Sequence, residues 1–425
     1  MFQTLKNAWK IPELKNKLLF TLLIIVLYRL GSAIPLPWVN SDTLQSWFSS
    51  QGGNALGWLN VLSGGALSRA TLFALSVSPY ITASIVVQLL TIAIPKFTDW
   101  SKEGESGQKK LSLVTRWLTV VLALVTAVGY TLYISNSGMV QTYKNTWENV
   151  VVKIVLVACY CAGAALIMWL AERINEFGIG NGISIILFAS IVSRFPPSLY
   201  QMITNTANGT VAWWINVLLL LGALAMIVLI VLINDSERRI PVQYAKRVVG
   251  RKMYGGQSTH LPMKVNMSGV LPIIFAQSIA TLPATIAAFT GHSDSAWAST
   301  TSIPYAIIYF LLIIFFAYFY STIQFNPVEI SNNLKKNGYI PGFRPGKPTS
   351  EFIKKVLNKI TLFGAIYLGI IAIVPILISH FSTSASLSGI SLGGTSIIIV
   401  VGVALETVRA LEAQMLMRNY KGFLS

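Results

Sequence analysis

Charge is scarce in this sequence, and negative charge most of all. Its 425 residues include 15 Asp and Glu, three His and two Cys, and charged residues of both signs make up 11%. Soluble domains carry about 25% charged residues, so a large soluble domain is excluded. Other absences narrow the chemistry. No Gly-x-x-x-x-Gly-Lys-Ser/Thr loop occurs, so the phosphate-binding turn of the NTPases is missing. Gly178, Gly180 and Gly182 do not fit a dinucleotide turn, and no strand precedes them. His260, His292 and His380 are scattered without metal-ligand spacing. Neither H-E-x-x-H nor G-x-S-x-G is present. Cys159 and Cys161 lie two apart in an apolar run and point to different sides of a helix, which excludes a disulfide between them. No catalytic constellation and no cofactor site emerges.

What fills the chain instead is apolar. Hydrophobic residues make up 54% and the mean hydropathy is +0.63, which describes a polytopic membrane protein. A helix needs about 20 mostly apolar residues to cross a bilayer. The stretches that approach this are 18–34, 72–94, 111–134, 150–170, 183–192 with its flanks, 211–233, 270–289, 303–323, 360–379 and 395–411. They predict an all-α protein of ten transmembrane helices. The first is read as a retained span, not a removable signal, because no small-residue cleavage site follows it. The spans hold almost no carboxylates, which a proton- or sodium-coupled carrier would need. Glu406 near the end of the tenth suits an ion pair with Arg409. Arg29 and Gln88 are the conspicuous polar groups within spans and read as helix-packing contacts.

The net charge of +17 is unevenly placed. Four lysines (Lys6, Lys10, Lys15, Lys17) precede the first span, five Lys or Arg lie in 96–116, seven in 234–266 and seven in 324–359. The alternate connections 291–302 and 380–394 have none. Positive charge collects on the cytoplasmic side, so both termini and the two large basic loops are expected there. Five spans on each side of the 192–211 connection suggest two pseudo-symmetric halves of inverted topology, 1–192 and 193–425. Loops of about thirty residues are uncommon unless functional.

The stretch 56–95 is the unusual one. Ser63-Gly64-Gly65 interrupts it and Arg69 follows. Adjacent glycines cost roughly 1 kcal/mol each in a helix interior. Backbone broken at membrane depth is tolerated only where protein buries it or where it lines a watery cavity. Residues 56–62 therefore read as a separate half-helix and 72–94 as the true span, bent near Pro79; a re-entrant loop or a kinked helix is the alternative. A cavity-lining chain with neither coupling residues nor a nucleotide site reads as a passive conduit driven by a partner. A secondary transporter or a membrane-embedded enzyme are the rival classes. The lack of intramembrane carboxylates argues against the first, and the lack of a catalytic constellation against the second.

Ordered motifs then give a resemblance. Leu62-Ser63-Gly64-Gly65-Ala66-Leu67-Ser68-Arg69-Ala70 with Pro79-Tyr80-Ile81-Thr82-Ala83-Ser84, Lys102-Glu103-Gly104-Glu105-Ser106-Gly107, Gly178-Ile179-Gly180-Asn181-Gly182-Ile183-Ser184, Gln257-Ser258-Thr259-His260-Leu261-Pro262, Phe325-Asn326-Pro327, Pro341-Gly342-Phe343-Arg344-Pro345-Gly346 and Gly393-Gly394-Thr395-Ser396 resemble the SecY family, in its bacterial form. This family forms the central protein-conducting channel of the Sec translocon. The resemblance implies a channel in the bacterial cytoplasmic membrane that passes unfolded polypeptide across the bilayer or releases it sideways. It also implies a plug at about 54–70, including Leu62, Ser63, Gly64, Gly65 and Arg69. A pore ring falls on Val77, Ile81, Ile183, Leu187, Ile274 and Ile399, where Val77 and Leu187 depart from the usual isoleucines. A lateral gate falls on Thr82, Gln88, Ser278, Leu282 and Thr285. Arg238, Arg239, Lys246, Arg247, Arg251, Lys252, Lys335, Lys336 and Arg344 fall where the motor ATPase SecA and the ribosome, with its RNA, would dock. The other implied partners are the SecE and SecG subunits, signal sequences, nascent polypeptides and membrane lipids. The residues themselves add that 77 and 81, like 183 and 187, are i, i+4 pairs on one helix face, and that all six ring positions are aliphatic, as a dewetting seal requires.

Overall fold

A computed structural model describes residues 2–50, 55–141, 143, 145–209, 212–244, 247–249, 252–254, 258–267, 269–290, 300, 302–381 and 394–421. The first half contains α1 (Phe2–Trp9), α2 (Pro12–Gly31), α3 (Ser41–Ser50), α4 (Ala55–Leu62), α5 (Ser78–Ala93), α6 (Pro95–Lys102), α7 (Glu105–Asn136), α8 (Thr146–Phe177) and α9 (Gly182–Val192). The second contains α10 (Phe195–Ala207), α11 (Trp213–Asp235), strands β1 (Glu237–Tyr244), β2 (Arg247–Val249), β3 (Lys252–Tyr254) and β4 (Ser258–Lys264), then α12 (Leu271–Thr290), α13 (Ile303–Gln324), α14 (Pro327–Asn337), β5 (Gly338–Tyr339), α15 (Lys347–Phe381) and α16 (Gly394–Lys421).

Each of the ten expected spans falls on a helix. Length and apolarity alone qualify six helices among the described residues, with α9 and α10 taken as one and α13 and α14 as another, and a seventh if α5 and α6 are counted together. The count of ten is not reached on that criterion. The part of α12 that counts on this criterion, Leu271–Ala287, is short for a span, while α2 and α16 carry charged residues along their length.

Local chemistry explains the boundaries. Asn181 caps α9 by accepting from the Ile183 N–H, and Asn326 caps α14 by accepting from Val328 and Glu329, as Asn does at helix starts. Pro95 ends α5: Ile94 before it is extended (φ −116°, ψ 119°), as a residue preceding proline prefers, and α6 leaves at 101°.

The largest apolar core runs between the halves and draws on α2, α5, α8, α9, α12, α13, α15 and α16. A second core joins α3 and α4 to α7 and α8 around Leu44, Leu56, Tyr130 and Tyr160. Outward leucines such as Leu218, Leu221 and Leu224 on α11 suit a lipid surround, where no polar face is required.

One element class was not expected. The loop 234–266 folds into an antiparallel pair in which β1 meets β4 from Glu237↔Lys264 to Gln243↔Ser258. From the loop 324–359, β5 then pairs with β1 through Gln243↔Tyr339. The two basic loops thus share one sheet, in the order β4-β1-β5. They also share one apolar cluster, with Ile240, Val242 and Met263 from the first loop and Leu334, Ile340, Ile353 and Leu357 from the second.

Candidate functional site: a broken helix beside an aliphatic cluster

The glycine pair ends α4, and the chain continues in turns to residue 77. Gly64 and Gly65 take φ of +67° and +88°, where only glycine sits without cost. Position 64 is also crowded: a Cβ there would lie 2.9 Å from the Ser190 carbonyl oxygen and 3.0 Å from Nη1 of Arg29. The expected span 72–94 is corrected here. Residues 72–77 are turns, Ser76 has φ of +52°, and the helix begins at Ser78 with Pro79 in its first turn. Proline therefore starts this helix and does not bend it, as suits its missing N–H.

The backbone freed by the break finds partners within the protein. Asn60 is the hub. Its Oδ1 accepts from the Ser68 N–H at 3.0 Å. Its carbonyl accepts from the Gly65 N–H at 2.9 Å, from the Ser63 hydroxyl at 3.0 Å and from Nη1 of Arg194 at 3.3 Å. The Ser63 hydroxyl accepts from the Leu67 N–H at 3.1 Å, and Ser76 donates to the Leu62 carbonyl at 3.2 Å. Tyr130 of α7 donates to the Leu67 carbonyl at 2.7 Å. Leu56, Leu62, Ala66, Leu67 and Ala70 are buried, while Arg69 is exposed. The segment is a packed, fully wired insert. The Leu67 carbonyl also accepts from the Ala70 N–H at 3.1 Å, so losing the Tyr130 hydroxyl removes one of its two hydrogen bonds, which is typically worth about 0.5–1.5 kcal/mol. Tyr130→Phe is therefore expected to lower the unfolding temperature of the purified protein, and unaltered melting would show the latch to be idle.

The six aliphatic residues come from four places. Val77 and Ile81 lie at the start of α5, Ile183 and Leu187 on α9, Ile274 on α12 and Ile399 on α16. Five are buried members of the large core and Ile183 packs against it, as Leu62 of the broken segment also does from within. Helix α4 touches both α9 and α12, and α9 touches α16, so the insert sits against the elements that bring these six together.

Helices α5 and α12 meet along the expected seam. Its hydroxyls are spent internally: Thr82 donates to the Ser78 carbonyl, Ser278 to Ile274 and Thr285 to Thr281. Helix parting would break none of these bonds. Gln88 differs, accepting from Tyr320 of α13 at 2.7 Å. Leu282 is exposed, one residue before Pro283 inside α12. A cavity of about 40 Å³ joins Leu56, Leu59 and Leu67 of the insert to Ser78 and Pro79 of α5 and Thr285 of α12. Arg29 serves packing, reaching the Ala189 carbonyl at 3.4 Å.

The basic residues divide. Arg238, Arg239, Lys335, Lys336 and Arg344 are exposed, and Arg239 is paired with Glu237 at 2.7 Å. Arg247 and Lys252 belong to the β2–β3 hairpin. Lys246 and Arg251 lie outside the described residues, as does Asn54 at the start of the expected plug. The expected pair of Glu406 with Arg409 is also corrected. Arg409 pairs with Asp235 and caps the end of α11 through the Asn234 carbonyl at 2.8 Å, while Glu406 accepts from the Val270 backbone. Asn266 donates to the Asn234 side chain at 2.8 Å. Burial, helped by nearby Arg409, holds the Lys264 ammonium below its ordinary range, and Asp235, Glu237 and Glu406 oppose that shift. No cluster of metal-ligand residues occurs among the described residues.

Known proteins resemble this arrangement over its whole length. The family model for SecY matches residues 71–408. A relative named protein translocase subunit SecY from Streptomyces coelicolor is 44% identical, with all of both chains covered. One of the same name from Mycobacterium tuberculosis is 41% identical, again with all of both chains covered. Among solved structures, a protein-conducting channel aligns with a TM-score of 0.64 at 17% identity, covering 94% of this chain and 92% of that one. Sec61 from a canine ribosome–channel complex of the endoplasmic reticulum aligns at 0.63 with 16% identity, covering 94% and 92%.

Proposed function

The chain belongs to the SecY family, and from that membership we propose that it is the pore subunit of a protein-conducting channel. It is a multi-pass membrane protein of a channel family, not an enzyme. It passes unfolded polypeptide across the cytoplasmic membrane and lets apolar segments leave sideways into lipid. The observation that carries this reading is the wired insert at 55–70, which touches α9 and α12 and whose Leu62 shares one apolar cluster with six aliphatic residues from four elements. A dry aliphatic constriction blocks ions yet yields to a chain threaded through it. In this reading Val77, Ile81, Ile183, Leu187, Ile274 and Ile399 form the seal, and the segment at about 54–70, with Leu62, Ser63, Gly64, Gly65 and Arg69, the plug. Residues 1–192 and 193–425 are the two halves that close around it.

Both termini and the shared β4-β1-β5 sheet face the cytoplasm, as the distribution of Lys and Arg supports. Arg238 and Arg239 on the sheet, Lys335 and Lys336 on α14, Arg344 in the turn after β5, Arg247 and Lys252 of the β2–β3 hairpin, and Lys246 and Arg251 of the same loop are then the residues that meet the SecA motor and the ribosome. SecE and SecG complete the channel, and signal sequences enter at the seam between α5 and α12.

The seam gives the direct test. Single cysteines at Thr82 and Leu282, joined by a short bifunctional reagent in the resting channel, are expected to stop SecA-driven translocation in reconstituted vesicles. Cleaving the reagent is expected to restore it. Full transport with the link quantitatively in place would move the exit elsewhere.

A further inference from the structure

A cavity of about 270 Å³ lies where the cytoplasmic sheet meets α15, lined by Glu237, Arg238, Val265, Lys359, Ile360 and Phe363. Its charges are not balanced. Glu237 is taken by Arg239 at 2.7 Å, whereas Arg238 and Lys359 form no ion pair among the described residues. The cavity is open and its walls are mostly apolar, with the exposed Arg238 and Lys359 among its lining residues beside Ile360 and Phe363.

The helix face beyond Phe363 identifies the occupant. Lys359, Phe363, Ile366, Ile370 and Val374 recur at spacings of four, three, four and four along α15, a single helix face. The four apolar members are all exposed large hydrophobics. This outward stripe starts at the cationic cavity and runs along the helix for about 22 Å at 1.5 Å per residue, longer than one bilayer leaflet's half of a roughly 30 Å hydrocarbon core. A soluble anion would use the cations and leave the stripe idle. A neutral lipid would use the stripe and leave the cations unmatched. We propose that this cavity is a binding site for an anionic phospholipid: the phosphate lies between Arg238 and Lys359, and an acyl chain lies along Phe363, Ile366 and Ile370. The proposal rests on the reading of α15 as a span with its Lys359 end cytoplasmic. Arg238 is shared with the proposed docking set, whereas Lys359 belongs to this site alone.

The test uses the whole channel with its co-purifying small subunits in vesicles of phosphatidylglycerol and phosphatidylcholine. A trace of phosphatidylglycerol with a photoreactive acyl chain is added, and adducts are mapped by mass spectrometry. Labelling is expected within residues 359–374. A basic residue at an anionic surface gains roughly fivefold in binding, so Arg238→Gln with Lys359→Gln should cut that labelling roughly tenfold or more. Each single change should fall between, and Lys359→Arg should retain it. If the double variant does not assemble, the single variants decide alone. Equal labelling of wild type by photoreactive phosphatidylcholine would overturn the proposal, as would labelling that both single variants leave intact. Displacement by excess inorganic phosphate would instead assign the cavity to a free anion and overturn the lipid. Export measured on the same vesicles with Lys359→Gln, which lies outside the docking set, reads the channel function separately, so a failure of one reading does not mimic a failure of the other.

Discussion

Replacing Ile274 by Asp is expected to turn a tight resting channel into a leaky one. Ile274 is 6% exposed and its neighbours in the core include Val77, Ile81, Leu187 and Ile399. A carboxylate cannot stay dry among them: burying an unpaired charge costs far more than admitting water to solvate it. If hydration of the constriction is favoured by only about 3 kcal/mol, the wet fraction rises on the order of a hundredfold. Single-channel conductance across planar bilayers without signal peptide or motor is the measurement. Ile274→Leu keeps volume and apolarity, costs less than about 1.5 kcal/mol, and is expected to stay closed. Ile81→Asp, 3% exposed, should leak in the same way. Deleting 56–67 removes Leu62 and Leu67 and should also raise conductance. Wild-type tightness in both Asp variants would mean that these residues pack a core that is not the seal.

The second large effect is expected at Arg344. Arg344→Glu should leave the protein folded and inserted while lowering SecA-driven export into vesicles at least roughly thirtyfold, since removing one member of a hydrogen-bonded charge pair at an interface costs about 2–5 kcal/mol. The turn that presents it is held by other groups. Thr349 donates to the Arg344 carbonyl at 2.7 Å, and Ser331 to the Gly346 carbonyl at 2.7 Å. Phe343 stacks on Phe352 with ring centroids 4.2 Å apart, and Gly342 and Gly346 supply φ of +88° and +108°. The guanidinium is exposed and takes no part in that scaffold, so its reversal alters charge without altering the turn. Arg suits either partner on this face because its planar fork matches carboxylates and phosphates. If the charge served only to fix topology, correctly inserted Arg344→Glu protein would export normally.

The helical plan was legible because each span writes its apolarity over many residues, and the Gly64–Gly65 break because glycine pairs have few other uses in a span. The six aliphatic positions were reached through a resemblance, since apolar residues in membrane helices carry no mark of what they face. The start of the second span is hidden in the sequence because residues 72–77 are as apolar as a helix. Only Ser76 and Ala70, with positive φ, betray the turns, and neither residue type signals that conformation. The sheet does leave a signal. In β1, Ile240 and Val242 are buried while Arg239, Pro241 and Gln243 are exposed, the period-two alternation of a half-buried strand. The dense positive charge around it points to topology and masks the pattern. Glu406 and Arg409 are close in sequence, yet Arg409 reaches an acid 174 residues away.

The β1–β5 pairing also sets a clock for biogenesis. Gln243 and Tyr339 are 96 residues apart, with α12 and α13 between them. At about 5–20 residues per second, the ribosome making this chain needs roughly 5–20 seconds to produce the second strand after the first. During that interval β1 and β4 can pair but their outer edge is open, and the Arg344 turn does not yet exist. If the sheet and this turn are the docking platform proposed above, a half-made subunit offers a motor no finished one, and recruitment waits until the eighth apolar span has been delivered to the membrane.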